Sequence, residues 1–181
     1  MRAVGDPDVR TAVTLVRDLE TAASTAAAAA LARDRLRALV GADAAAWTSG
    51  PDPGPGGDRA SAGDRVRLPL PLPGDDDAAI VLRRAQPPFD ERERALLELL
   101  RPSLLAALRR VAGREALAAL RLTRREREVL ARVEAGDANA AIARRLGMRP
   151  RTVDKHLEHA YAKLGVASRT AAAARLREIT H

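Results

Sequence analysis

Residues 150–164 read PRTVDKHLEHAYAKL, a run whose residue types divide cleanly between two sides of a helix. At about 100° per residue, Val153, Leu157, Ala160, Tyr161 and Leu164 fall together. Arg151, Lys155, Glu158 and His159 collect on the opposite side, with Thr152 and Lys163 flanking them. A helix pinned by such a stripe turns its polar side to solvent, and its first turns fit a major groove. Arg and Lys can donate there to guanine O6 and N7 or neutralise phosphate. The hydroxyl and backbone N–H of Thr152, early in the helix, suit a phosphate oxygen, and Arg149, just before Pro150, joins the set. His156 falls toward the apolar side, which predicts packing rather than base contact. A three-helix bundle with a solvated charged face would share this pattern, so spacing alone leaves both readings open.

The preceding residues carry the signals needed to hold that helix in place. Thr123 stands three residues before Glu126, with Leu130 and Val133 on one face beyond, the signature of a capping box opening an amphipathic helix. Ala135-Gly136-Asp137 ends it, and a second helix over about 138–146 buries Ile142, Ala143 and Leu146. Gly147 sits where a tight helix-to-helix turn needs positive φ. Pro150 then fits the first turn of the third helix, where its missing N–H costs nothing.

Charge is spread unevenly over the 181 residues. Residues 1–121 hold 18 Arg against 17 Asp and Glu, whereas residues 122–181 hold 13 Arg and Lys against 7 acids, so nearly all of the net +7 lies in the last third. A bias toward Arg in the coding sequence accounts for Arg over Lys, but not for the thinning of acids at one end. That asymmetry predicts a polyanion-binding end. No Cys is present, which excludes disulfides and thiolate chemistry. His156 and His159 lie three apart on one helix with no third ligand nearby, so no metal site or cofactor is expected. No Ser/His/Asp set and no Gly-rich phosphate loop after a strand is found, so the chain is not expected to be an enzyme. The run Ala26–Ala32 is too short and too weakly apolar to span a membrane, and a cytoplasmic protein is predicted.

Residues 8–110 read as a small α+β unit. Val9, Val13, Val16 and Leu19 recur at helical spacing, a second register follows at Leu31, Leu36, Leu39 and Val40, and Gly41 is the predicted stop, so 8–40 favours helix. AAAWT (44–48) predicts a short strand, and residues 49–64 a Pro/Gly/Asp loop. RVRLPLPL (65–72) alternates with prolines and predicts at best an edge strand; AAIVLRR (78–84) is the strongest strand. The acidic triplet Asp75-Asp76-Asp77 is expected to be solvated, as are Glu91 and Glu93 at a helix start. Asp90 predicts the cap of a long helix, kinked or broken at Pro102 and loosened at Gly113. Leu96, Leu97, Leu100, Leu104, Leu105 and Leu108 form its apolar stripe, and residues 111–121 form a linker or connecting helix.

Residues 122–176 strongly resemble the LuxR-type helix-turn-helix. The likeness rests on LTRREREVL, Gly136-x-x-Asn139, Ile142-Ala143, Leu146-Gly147, Thr152-Val153-x-x-His156 and Lys163-Leu164-Gly165-Val166-x-x-Arg169-Thr170. It implies an all-α four-helix domain over 122–181 whose third helix reads the groove and whose fourth, about Arg169–Ile179, mediates dimer contact on DNA. It further implies that Asn139, Thr152, Lys163 and Arg169 position the backbone and that Asp154, Lys155 and Glu158 face bases. Ala138 replaces the usual Ser, and Ala140-Ala141 the usual Lys-Glu, removing a helix cap and a phosphate-facing cation. Asp154 and Glu158 stand where relatives are often basic; they would repel phosphate but could accept from cytosine N4.

Residues 78–110 resemble the last strand and last helix of a GAF-like sensor, here reduced to three strand candidates, so a sensor or a dimerisation domain is expected. The receiver type is set aside, since residues 1–121 contain no Lys. Together these likenesses imply a transcription regulator that binds a short, partly palindromic duplex as a homodimer. An RNA polymerase contact and a small-molecule effector at the N-terminal domain stay open. The alternatives are a protein-binding adaptor that kept the fold without DNA, and a sigma-factor-like region, which the KLGVxxRT tail argues against.

Overall fold

The structure is a computed structural model that describes residues 6–50 and 63–180. The described chain comprises helices α1 (Asp6–Glu20) and α2 (Thr25–Leu39), strands β1 (Ala44–Thr48), β2 (Asp64–Pro69) and β3 (Ala79–Arg84), and helices α3 (Glu91–Ala119), α4 (Arg124–Glu134), α5 (Asn139–Leu146), α6 (Pro150–Leu164) and α7 (Arg169–Thr180). It divides into two compact units, 1–112 and 113–181, with α3 contributing residues to both.

In the first unit the helical stretch expected over 8–40 is divided into two helices. Ser24 explains the break: its backbone is extended and its Oγ accepts from the Ala27 N–H, an N-cap that opens α2. The stop at Gly41 holds, with φ +60 just past the α2 C-cap. The buried face of α1 is Leu15 and Leu19, with Val16 half-buried. Val13, expected on that face, is 57% exposed, and the side chain of Val9 lies outside the described residues, as does most of the loop read over 49–64. Ala28, Ala29 and Ala32 bury the other helix without side-chain entropy cost.

The sheet is antiparallel in the order β1-β3-β2. The strand best supported by its sequence, β3, is central, and both neighbours are edges. The alternating prolines now have a physical reason. The Leu70 N–H donates to the Ala78 carbonyl at 2.8 Å and the Leu72 N–H to the Asp75 carbonyl at 3.0 Å. Pro69 and Pro71 occupy the intervening positions, where an edge strand needs no donor. Ala45, Trp47, Val66, Leu68, Ile80 and Leu82 pack into one core with Leu15, Leu19, Leu36, Leu97, Leu104 and Leu108. The opposite sheet face carries Ala44, Ala46, Thr48, Arg65, Arg67 and Arg83 around a concavity of about 440 Å³.

Two acids expected to be merely solvated have structural partners. Asp75 accepts from the Ser49 hydroxyl at 2.6 Å. Glu93 accepts two hydrogen bonds from Arg84, at 2.9 and 2.5 Å, and one from the Asp90 N–H, while Asp90 accepts from the Glu93 N–H to complete the α3 cap. Arg84, 9% exposed at the end of the central strand, also donates to the Val40 and Pro88 carbonyls and lies over the Phe89 ring. Its guanidinium holds the Glu93 carboxyl below the ordinary glutamate range. One cation thereby ties the end of α2, the end of β3 and the start of α3. Helix α3 then runs through Pro102 and Gly113 as one element, so of the two outcomes expected at Pro102, a kink or a break, the break does not occur. Pro102 lies on the exposed side, where the carbonyl it leaves unpaired can be solvated.

Arg84→Ala leaves Glu93 without its main partner and is expected to destabilise the first unit by about 2–4 kcal/mol. Trp47, the single tryptophan, packs in that unit and reports on it alone. Denaturant titration by Trp47 fluorescence should show an earlier midpoint, and an unshifted one would remove Arg84 from its structural role.

Candidate nucleic-acid interface

In the second unit the turns that follow α4, α5 and α6 each hold a glycine with positive φ: Gly136 (+84), Gly147 (+64) and Gly165 (+69). Any L-residue there would be strained, so these turns fix where each helix ends. The capping box opening α4 is present in both directions, Thr123 Oγ1 accepting from the Glu126 N–H and the Glu126 carboxylate from the Thr123 N–H. Two apolar clusters hold the helices together. One gathers Leu122, Leu130, Ala160, Leu164, Ala172, Leu176 and Ile179; the other gathers Val129, Val133, Ile142, Ala143, Val153 and Leu157; half-buried Tyr161 touches both. Leu146, read as buried, is half-buried against the second cluster.

Helix α6 is thus anchored by Val153 (0% exposed), Leu157 (5%), Ala160 (0%) and Leu164 (6%). Burying each of the larger side chains contributes about 1.5–3 kcal/mol, enough to fix the rotation of the helix about its axis. Arg149, Arg151, Thr152, Asp154, Lys155, Glu158 and His159 are all exposed, and His156 is half-buried. Pro150 occupies the first turn, and no side chain caps the helix start. The start of α5 is likewise free of a side-chain cap, since Ala138 has no hydroxyl to offer. Uncapped N-termini leave backbone N–H groups and the positive end of the helix dipole available to an anion. Arg144 and Arg145, exposed at the end of α5, add cations that the motif reading passed over. Counting around the helix from buried Ile142 and Ala143 would have found them.

The remaining predicted site residues are engaged within the protein. Lys163 donates to Glu126 Oε2 at 2.7 Å and to the Arg121 carbonyl at 3.2 Å. It fastens the end of α6 to the start of α4. Glu126 is 3% exposed. Burial alone would raise its carboxyl pKa, but hydrogen bonds from Lys163 and Thr123 outweigh that and hold it below the ordinary glutamate value. Arg169 donates through Nη1 to Asn139 Oδ1 at 3.1 Å and through Nη2 to the Asp137 carbonyl. Asn139 in turn donates from Nδ2 to Asp154 Oδ1 at 2.8 Å. The four-helix packing therefore brings Asn139, Asp154 and Arg169 together from three helices and holds Lys163 in a separate contact.

Comparison with known proteins bears on this arrangement directly. Residues 120–176 match the family described as bacterial regulatory proteins, luxR family. These residues form a LuxR-family helix-turn-helix domain. Over 48 residues the chain is 56% identical to a Mycobacterium bovis protein named HTH-type transcriptional regulator Mb0914c, covering 26% of this chain and 5% of that protein. Over 78 residues it is 42% identical to a Mycobacterium tuberculosis protein named transcriptional regulatory protein NarL, covering 42% of this chain and 36% of that one. The chain thus spans between 5% and 36% of the length of these curated relatives. No described helix is long and apolar enough to cross a membrane.

Lys163→Ala strands the Glu126 carboxylate and should lower the stability of the second unit by about 1–3 kcal/mol at pH 7. Because the folded-state pKa of Glu126 lies below its unfolded value, its contribution is present above the ordinary glutamate pKa and is lost as pH falls through the depressed one. The variant's deficit in thermal melts should therefore shrink on acidification. A deficit that stays constant from neutral to acid pH would show that the pair does not act through charge.

Proposed function

We propose that this chain is a sequence-specific DNA-binding transcription regulator that enters the major groove with α6. The observation that supports this most is the division of α6 between a buried Val153/Leu157/Ala160/Leu164 stripe and an exposed Arg151/Thr152/Lys155/Glu158/His159 side, within a LuxR-family domain. On this reading Lys155 and Glu158 meet base edges, with His159 beside them. Arg149, Arg151, Thr152 and the start of α5 at Asn139 meet phosphates. Lys163 and Arg169 act by holding the ends of α6 and α5 in place.

The regulator binds as a homodimer through α7 to a short, partly palindromic site, and works in the cytoplasm. Residues 8–110 serve as a reduced GAF-like sensor or dimerisation domain and residues 111–121 as a connector. A three-stranded sheet with helices packed on one face supports this reading, and the concavity on the other face is where an effector would be sought. An RNA polymerase contact would make it an activator.

Arg144, Arg145, Arg149, Arg151, Lys155 and the uncapped helix starts can together neutralise about six phosphates per protomer, which predicts a log–log salt slope near −5. Titrating the full chain into labelled duplex at several salt concentrations measures it. Absence of binding even at low salt would favour the adaptor reading, in which Asp154, Glu158 and the missing cation at Ala140 reflect a lost ligand. Lys155→Ala should cost about 1–3 kcal/mol on the preferred duplex and relax preference at one base position. An equal loss on every duplex would make Lys155 a phosphate contact instead.

A further inference from the structure

Asp154 is exposed on the groove-facing side of α6, the position from which a carboxylate would accept from cytosine N4. One of its oxygens is already engaged. Asp154 Oδ1 accepts from Asn139 Nδ2 at 2.8 Å, and Asn139 Oδ1 accepts from Arg169 at 3.1 Å. A carboxylate can only accept and a guanidinium can only donate, so the two neighbours dictate which way the Asn139 amide faces. Asn139 is the first residue of α5, whose start has no side-chain cap. Asp154 therefore supplies an anion near the positive end of that helix, where a capping side chain is missing. A second consequence follows from its charge, which stands beside the place where a phosphate would approach α5.

We propose that Asp154 is a positioning residue that orients Asn139 between α6 and Arg169, and that its charge lowers affinity for all DNA sequences alike instead of reading a base. This deepens the DNA-binding reading and rests on it.

The test uses the full chain, a duplex selected by the wild type from a random pool, and a scrambled duplex of the same length. Asp154→Asn keeps an acceptor for Asn139 while removing the charge. It should bind both duplexes about three- to tenfold more tightly, with the ranking of base substitutions in the selected site unchanged. Asp154→Ala removes the acceptor as well. It should gain less than Asp154→Asn, and the side-chain amide proton resonances of Asn139 should move in the alanine variant while staying near their wild-type positions in the asparagine variant. A changed preference confined to one base position in Asp154→Asn would make Asp154 a base reader and overturn the inference. So would unchanged binding of both duplexes, or Asn139 resonances that do not move in Asp154→Ala. If the wild type binds neither duplex at low salt, the DNA-binding reading fails and carries this inference with it; binding by the wild type with any of the preceding results removes the inference alone.

Discussion

Glu126 lies almost wholly out of solvent yet remains charged, and the second unit is arranged around satisfying it. Its carboxylate receives the Thr123 N–H from the α4 cap and the Lys163 ammonium from the far end of α6. Lys163 also reaches the Arg121 carbonyl, at a non-glycine residue with φ +48. A buried charge is tolerated only when paired and hydrogen-bonded, so satisfying Glu126 requires the end of α6 to lie against the start of α4. The angle at which the exposed side of α6 meets its surroundings is inherited from that contact.

The second unit keeps its polar resources on two separate tasks. Lys163 and Arg169 are cations by composition, but their donors are spent on Glu126, Arg121, Asn139 and Asp137. Arg144, Arg149, Arg151 and Lys155 hold their charges in water, as does Arg145 beside Asp137 at 3.5 Å. Only the second group can displace counterions from a polyanion, so formal net charge overstates what this surface offers. The first unit uses the same strategy at Arg84, where one guanidinium serves Glu93 and two backbone carbonyls.

Much of this was legible before any coordinates. Gly147, Pro150, the Thr123/Glu126 box, the α6 stripe and the strand β3 each follow from a local rule, because cap, turn and periodicity are short-range properties. What escaped reading is long-range. The Arg84–Glu93 pair is separated by a loop, and Lys163 and Glu126 lie 37 residues apart, so neither partner carries a local sign that the other exists. Arg169, Asn139 and Asp154 were singled out one at a time for roles toward DNA, and their mutual contact depends on how three helices cross. Val13 departs for a simpler reason: the buried face of α1 is set by Leu15 together with Leu19, and Val13 lies off it. Pro102 lies within α3 without ending it, on the exposed side of the helix, a placement that periodicity could have supplied.

The alanine at position 138 has an effect beyond a missing hydrogen bond. A helix start without its own cap tends to fray, opening and closing its first turn on a fast timescale. An oxyanion arriving from outside would supply the acceptor that the sequence withholds, so docking and the ordering of that turn would become a single event. Amide hydrogen exchange at Asn139 and Ala140 would slow on the duplex more than elsewhere in α5, making the least finished end of the domain its most responsive part.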